Sequence, residues 1–417
     1  MNRLYTFIML LGVIAVMQAS DIEYTFNQPH GAWWTSPSKP ELSLKLTNTG
    51  SKSEERTVTL TIVTDELKSE VYKFAQSATI AAGAETTIGF QFNLEPGFYH
   101  CIYTSGDSVL KEYNIGYEPE CIVSLPDYQP DFKEFWVRAR ADLDSVTPEF
   151  SMERFPEQDS KLGKAYKVRM KSVKGEELTG YCVIPKKKGK YPAIINFMGY
   201  GSGPAYDFRP IYDGEFIYFQ QSIRGQGFTI ENNTHGEWMQ ENIADIENYY
   251  YRNAFMDVVR GVDFVYQMPE FDGKNLFAEG GSQGGALTMA ATALDKRIVA
   301  AAPFIPFLSD YPKYLTMGLW SGDILKRGAA ESGISKEQML KNMTYFDMKN
   351  LCTLIEVPVL MGVGLQDAVC PPRTNFAGYN VIRSPKSFII YPAKGHGVER
   401  PDWDNAHVNF FKQYMKK

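Results

Sequence analysis

Cysteine and histidine are scarce in this chain: five of each stand among 417 residues. Cys101, Cys121, Cys182, Cys352 and Cys370 are scattered, with no C-x-x-C pair and no His/Cys cluster. That spacing excludes a disulfide-stapled scaffold and supplies no zinc-binding pattern. The odd count leaves at least one thiol free, and a Cys101–Cys121 link across a domain edge stays open. Positive charge is in deficit, with a net charge of -6, which speaks against a non-specific grip on nucleic acid. Beyond the first 20 residues no segment is long and apolar enough for a transmembrane helix. Internal repeats and low-complexity tracts are also missing. Against these absences, 44% hydrophobic and 22% charged residues are ordinary for a chain that buries a core. At roughly 100–200 residues per domain, the length predicts two or three domains. The 14% aromatic content suits sheet cores and sugar-facing clefts alike.

The N-terminus reads as a signal peptide over residues 1–20. Arg3 supplies positive charge, Leu4 to Met17 is nearly all apolar, and the small residues Ala19 and Ser20 follow. The run is shorter than the roughly 20 residues that span a bilayer. The expectation is a secreted or periplasmic protein without stable membrane insertion, and no cysteine follows to carry a lipid.

Residues 21–118 read as an all-β domain. Leu42, Leu44 and Leu46 alternate with polar residues, as do Val58, Leu60 and Ile62, and Ile88, Phe90, Phe92 and Leu94. Period two with one apolar face marks half-buried strands. Turns at Asn48-Thr49-Gly50, Ala82-Gly83 and Pro96-Gly97 separate them. About 100 residues of short strands predict an immunoglobulin-like sandwich, a sugar binder or a spacer packed on its neighbour. Pro119, Pro126 and Pro130 mark a linker. Asp131 then stands where it can cap a helix carrying Phe132, Phe135, Trp136 and Ala139.

The second domain, residues 119–417, alternates strands and helices. Apolar runs at Ala193–Phe197, Phe216–Phe219, Leu276–Ala278, Ile298–Phe304, Val357–Val363 and Ser387–Tyr391 predict a mostly parallel sheet covered on both faces. Ala254–Gln267 reads as an amphipathic helix and Gly285–Leu294 as a helix of small residues.

Gly280-Gly281-Ser282-Gln283-Gly284-Gly285 matches G-x-S-x-G between a strand and a helix, the nucleophile elbow of an α/β-hydrolase fold. The turn is so tight that side chains at 280 and 284 would collide. It lifts Ser282 above a helix N-terminus, where the Gln283 N–H can hold an oxyanion. A serine needs a base, and the fold orders its triad Ser, acid, His. Only His396 and His407 follow Ser282. His396 lies in a loop after the last strand; His407 sits on an apparent terminal helix. Asp367, on the loop after the penultimate strand, is the acid that orients the imidazole. The Met198–Gly203 loop offers the Tyr200 N–H as second oxyanion donor. Cys370 reads as structural. Trp238 and Tyr249–Tyr251 suggest an aromatic wall. Residues 308–345, with Trp320, read as a helical lid that shapes an ester pocket. Trp238 and Trp320 are thus the substrate-binding candidates.

These residues resemble the acetyl xylan esterase and cephalosporin C deacetylase family. The resemblance rests on Asp131–Trp136, Gly199-Tyr200, Arg224-Gly225-Gln226, Tyr249–Arg252, the elbow, Gly364–Asp367 with Pro371-Pro372, and Gly395-His396. It implies deacetylation of sugars or small acetylated compounds, with no metal and no organic cofactor. Ser282, Asp367 and His396 fall on its triad positions, Tyr200 and Gln283 on its oxyanion positions. It also implies ring-shaped homo-oligomers, though the added β-domain leaves assembly open. Met198 replaces the family's usual histidine before Gly-Tyr. The substrate implied is an acetylated oligo- or polysaccharide. A prolyl oligopeptidase-like peptidase shares the triad order but needs a propeller repeat that is absent. A non-catalytic glycan-binding protein would not need Ser282, Asp367 and His396 intact.

Overall fold

The computed structural model describes residues 21–417, so the signal-peptide expectation for residues 1–20 lies outside the described residues. The chain opens with two β-sheets. One holds β1 (Ile22–Phe26), β3 (Glu41–Asn48) and β6 (Glu85–Gln91); the other runs β2 (Trp33–Trp34), β8 (Ser108–Tyr117), β7 (Gly97–Ser105), β4 (Glu54–Thr64), β5 (Glu70–Ile80). The leucines of β3 and the Val58, Leu60 and Ile62 side chains of β4 are fully buried in one shared apolar core. The alternation at Ile88 and Phe90 ends with β6 at Gln91; Phe92 and Leu94 pack on the core from beyond the strand. All five cysteines are free thiols, so Cys101 and Cys121 are not linked; Cys121 alone is exposed.

The proline-marked segment is bonded to the body that follows. The Ser124 hydroxyl lies 2.8 Å from Asp310, and the Asp127 N–H donates to Asn350 at 2.9 Å. Helix α1 (Phe132–Asp144) buries Phe132, Phe135, Trp136 and Ala139 on one stripe. Asp131 stands at its start but does not cap it through the side chain; Tyr345 claims that carboxylate with a 2.5 Å hydrogen bond.

The second body is built on a nine-stranded sheet. In chain order its strands are β9 (Ser151–Arg154), β10 (Gly163–Lys171), β11 (Glu177–Pro185), β12 (Tyr191–Phe197), β13 (Ile217–Gln221), β14 (Phe271–Gly281), β15 (Ile298–Phe304), β16 (Val359–Gly364) and β17 (Lys386–Tyr391). In space they run β17-β16-β15-β14-β12-β13-β11-β10-β9. The first six are parallel, and β11, β10 and β9 extend the edge antiparallel.

Helix α2 (Tyr250–Gln267) starts four residues earlier than its apolar pattern predicts and is not amphipathic in place. Arg252, Asp257 and Arg260 are buried along with its apolar residues, and the charges are paired: Arg224 grips Asp257 at 2.6 Å, and Arg252 reaches Asp142 at 2.7 Å. Helix α3 (Gln283–Leu294) is almost entirely buried, and its small residues let it lie close on β14 and β15. The expected insertion forms α4 (Tyr311–Tyr314), α5 (Trp320–Glu331) and α6 (Lys336–Met343) between β15 and β16. Then come α7 (Met348–Leu351), α8 (Pro372–Val381) and α9 (Asp402–Gln413). Among the described residues, no helix is long and apolar enough to cross a membrane.

Candidate active site

The parallel strands deliver three loops to one end of the sheet. Ser282 follows β14, Asp367 follows β16 and His396 follows β17. Ser282 has φ 59° and ψ -123°, a left-handed conformation that a non-glycine residue holds only under constraint. The constraint is visible. The Ser282 N–H donates to the Phe304 carbonyl at 3.1 Å, and its own carbonyl accepts from Phe307 at 3.0 Å. The collision expected at the flanking glycines is also there. A Cβ on Gly284 would stand 2.1 Å from the Phe197 carbonyl oxygen, and one on Gly280 would stand 2.5 Å from that of Gly284.

His396 Nε2 lies 3.0 Å from Ser282 Oγ, and His396 Nδ1 lies 2.9 Å from Asp367 Oδ2. Asp367 is buried, and its Oδ1 accepts the backbone N–H groups of Val369 (2.8 Å) and Cys370 (2.9 Å). Those bonds fix the orientation of the carboxylate beside the imidazole. His407 is elsewhere: it is buried on α9 against Tyr212 and Glu279, a packing role.

Gln283 opens α3, so its backbone N–H is one of the helix's unpaired first-turn donors, next to Ser282. Its side chain is held by the Tyr251 hydroxyl, which donates to Oε1 at 2.9 Å. Gln226 ties this helix start to the Met198–Gly203 loop. Its Oε1 accepts the Gly201 N–H at 2.9 Å, and it exchanges amide bonds with Gln283 at 3.1 and 3.3 Å. Tyr250 completes the frame, donating from its hydroxyl to the Arg224 carbonyl at 2.7 Å. Tyr250 and Tyr251 are therefore braces under the site and not a wall around it. Gln226 stood in the Arg-Gly-Gln motif, yet only the contacts across the fold reveal its task. Met198 turns toward Ser222, whose hydroxyl lies 3.7 Å from the thioether sulfur.

A cavity of about 550 Å³ opens on Ser282 and His396. Met198, Gly199, Tyr206, Asp207, Arg209 and Phe304 are among its walls. Trp238 and Trp320 are not in that lining. Both meet Tyr200 edge-on, at 5.1 and 5.5 Å between ring centroids, and Trp320 remains 43% exposed. The Tyr200 hydroxyl donates to Glu237; burial, with that carboxylate, pushes its phenol well above the ordinary range.

Two neighbours complete the surroundings of Ser282: Cys370, expected to be structural, and Glu279, which no motif marked. Cys370 is fully buried with its sulfur 3.9 Å from Ser282 Oγ, and burial first, then Asp367, pushes the thiol well up. Glu279, three residues before Ser282 and fully buried, accepts from Tyr212 (2.9 Å) and Asn196 (3.1 Å) and pairs with Arg209 (3.1 Å). Burial would raise this carboxyl, but Arg209 and His407 hold it below the ordinary carboxylate range. Among the described residues, no group of His, Cys, Asp or Glu is arranged to hold a metal ion.

The parallel strands, with a strained serine between strand and helix and the histidine and carboxylate loops arriving beside it, make the second body an α/β-hydrolase. More narrowly, the chain belongs to the acetyl xylan esterase (AXE1) family of carboxylic ester hydrolases, whose pattern it matches over residues 123–414. It is 28% identical over 342 residues to the acetyl esterase Axe7A of Xylanibacter ruminicola, an alignment covering 78% of this chain and 75% of that one. Among solved structures it resembles an acetyl xylan esterase from Paenibacillus sp. R4, with TM-score 0.66 and 27% identity over 72% of this chain and 99% of that one. Acetyl xylan esterase 1 from Thermoanaerobacterium sp. JW/SL YS485 is similar too, with TM-score 0.62 and 30% identity over 72% and 98%. The family match begins beyond β8, so the two leading sheets stand outside it.

Proposed function

We propose that this protein is an exported serine esterase that removes acetyl groups from acetylated oligo- or polysaccharides. The observation that carries the mechanism is the continuous chain of contacts from Ser282 through His396 to Asp367, at 3.0 and 2.9 Å. His396 Nε2 takes the hydroxyl proton as Ser282 Oγ bonds to the acetyl carbonyl carbon. The backbone N–H groups of Tyr200 and Gln283 hold the oxyanion. The C–O bond to the sugar breaks, and the alkoxide leaves with the proton from His396. Water then attacks the acetyl-serine, giving up a proton to the same nitrogen, and acetate departs as Ser282 is reprotonated. Asp367 holds the tautomer and stabilises the imidazolium.

The carbohydrate side of the reading draws on the relatives' names. The exposed Trp320 ring, packed on the half-buried Tyr200 beside the site, supports it, since an exposed aromatic face suits a sugar ring. Export rests on residues 1–20, and the division near residue 118 on the two sets of sheets sharing no strand. The three-plus-five sandwich supports an immunoglobulin-like class for the first domain.

The test is acetate release from acetylated xylan, acetylated pectin and acetylated monosaccharides, run beside Ser282→Ala. Wild type is expected to release acetate and the variant to lose at least about a thousandfold. Full activity in Ser282→Ala, or cleavage of peptides with silence on every ester, overturns the proposal.

A further inference from the structure

The residue before the proposed catalytic acid makes contacts that the family resemblance does not account for. Gln366 spends its whole side-chain amide on a junction of three segments. Its Oε1 accepts the backbone N–H of Asn114, on β8 of the sandwich, at 2.7 Å. Its Nε2 faces the carbonyls of His30 (2.9 Å), Asn114 (3.1 Å) and Pro392 (3.0 Å). Pro392 opens the loop that ends in His396. The backbone N–H of Gln366 donates to Lys394, in the same loop, at 2.8 Å. From the sandwich side, Asn114 Nδ2 donates to the Leu365 carbonyl at 3.1 Å. One amide therefore touches the acid loop, the histidine loop and the β-domain together.

The chemistry of the position is narrow. A planar neutral side-chain amide offers a carbonyl acceptor and two N–H donors, one donor more than a peptide group. Glutamine here acts as an extra peptide unit between the edge of the sandwich and the two loops. Glutamate would turn a carboxylate toward three carbonyl oxygens, and leucine would leave them without a donor. Other contacts also join the two bodies: Arg373 with Asp65 at 2.8 Å, Lys313 with Glu66 at 2.7 Å, and Phe98 against Phe376. None of these involves residues 392–396.

We propose that Gln366 is a positioning residue for Asp367 and His396, and that the β-domain, through Asn114 and His30, is part of the device that holds their geometry. This inference rests on the proposed triad. The sandwich is then a working part of the esterase whatever else it binds. The acid and base loops leave two different strands, and the Asp367–His396 bond depends on their spacing. A displacement of about 1 Å at such a site can cost on the order of a hundredfold in rate.

The experiment uses the full chain, 4-nitrophenyl acetate as a small ester, and the variants Gln366→Leu, Asn114→Ala, Asp65→Asn and Ser282→Ala. For Gln366→Leu, kcat should fall about 10- to 100-fold while KM stays within about twofold. Asn114→Ala keeps the backbone contacts to Gln366 and removes the bond to Leu365 together with the contact to His100 inside the sandwich, and it should lower kcat by a smaller factor. Asp65→Asn loosens the same interface without touching Gln366, so its melting temperature should fall while kcat stays at the wild-type value. Unchanged kcat in Gln366→Leu overturns the proposal, as does an equal kcat loss in Asp65→Asn. If Gln366→Leu does not fold, Asn114→Ala decides: a kcat loss at constant KM supports the positioning role, and wild-type kcat overturns it. Ser282→Ala separates the two readings, because full activity there would remove the triad itself, whereas an inactive Ser282→Ala beside a normal Gln366→Leu removes only the positioning role.

Discussion

Ser282 holds a backbone conformation that costs a non-glycine residue about 1–3 kcal/mol, and its neighbours keep it there. Gly284 is the tightest of them. Gly284→Ala should displace the Phe197 carbonyl 2.1 Å from the new methyl, destabilise the fold by about 1–3 kcal/mol and abolish acetate release; thermal melting and the acetate assay check both. Gln226 tests the oxyanion frame. Gln226→Leu removes its bonds to Gly201 and Gln283, and kcat should fall on the order of a hundredfold with little change in KM. His235 gives a pH signature. Its bond to Glu176, then its bond to Glu241, lifts its pKa to about 9. A raised folded pKa means the stabilisation is fully present below the ordinary histidine value of about 6.5 and is lost as pH rises through 9. Glu176 is held below its ordinary value by the same bond, so the benefit also fades in acid. Wild type should therefore melt higher than His235→Gln at pH 6, and the gap should close by pH 10. At this scale the sequence was legible where neighbours along the chain impose the constraint, as at the elbow glycines. It named Gln226 and Gln366 within motifs and Cys370 as structural, but not what they touch, because their partners lie far away in the chain.

Among the elements, the inner strands could be read because burial on both faces leaves unbroken apolar runs, as in Ile298–Phe304. Strand β5 could not: it leaves Val71 and Phe74 exposed, which breaks the apolar-in, polar-out rule. In helix α2 the apolar side of Phe255, Val258, Val259 and Val262 suggests amphipathicity, but Arg252, Asp257 and Arg260 are buried too, held by partners on other elements. The 308–345 insertion was legible as helices between strands, but its relation to the pocket was not. Trp320, at the first turn of α5, stacks on Phe307 and meets Tyr200 edge-on. If this element presents a platform to sugar rings, Trp320→Ala should raise KM on acetylated xylo-oligosaccharides about 3- to 10-fold, the scale of one aromatic contact, and leave KM for 4-nitrophenyl acetate unchanged. An equal rise on both esters would count against a platform.

The whole molecule unites two sets of sheets that composition and periodicity separate cleanly. Their union was not legible, because nothing in the sequence around Phe98 says which body its ring joins. In the fold it belongs to the apolar core of the hydrolase body, 1% exposed, with its ring on Phe376. Phe98→Ala should cost about 3–5 kcal/mol, the range for a fully buried aromatic, and the wild-type chain should unfold in a single calorimetric transition. Two separate transitions, with Phe98→Ala moving only one, would show that the bodies fold independently.

Of the five thiols, four are buried and Cys121 alone faces solvent, at the crossing from sandwich to hydrolase. The native chain thus carries its own attachment point. A maleimide dye or nitroxide should react there first while the folded interior shields the rest. Its signal would follow separation of the two bodies in real time, with no engineered cysteine and none removed.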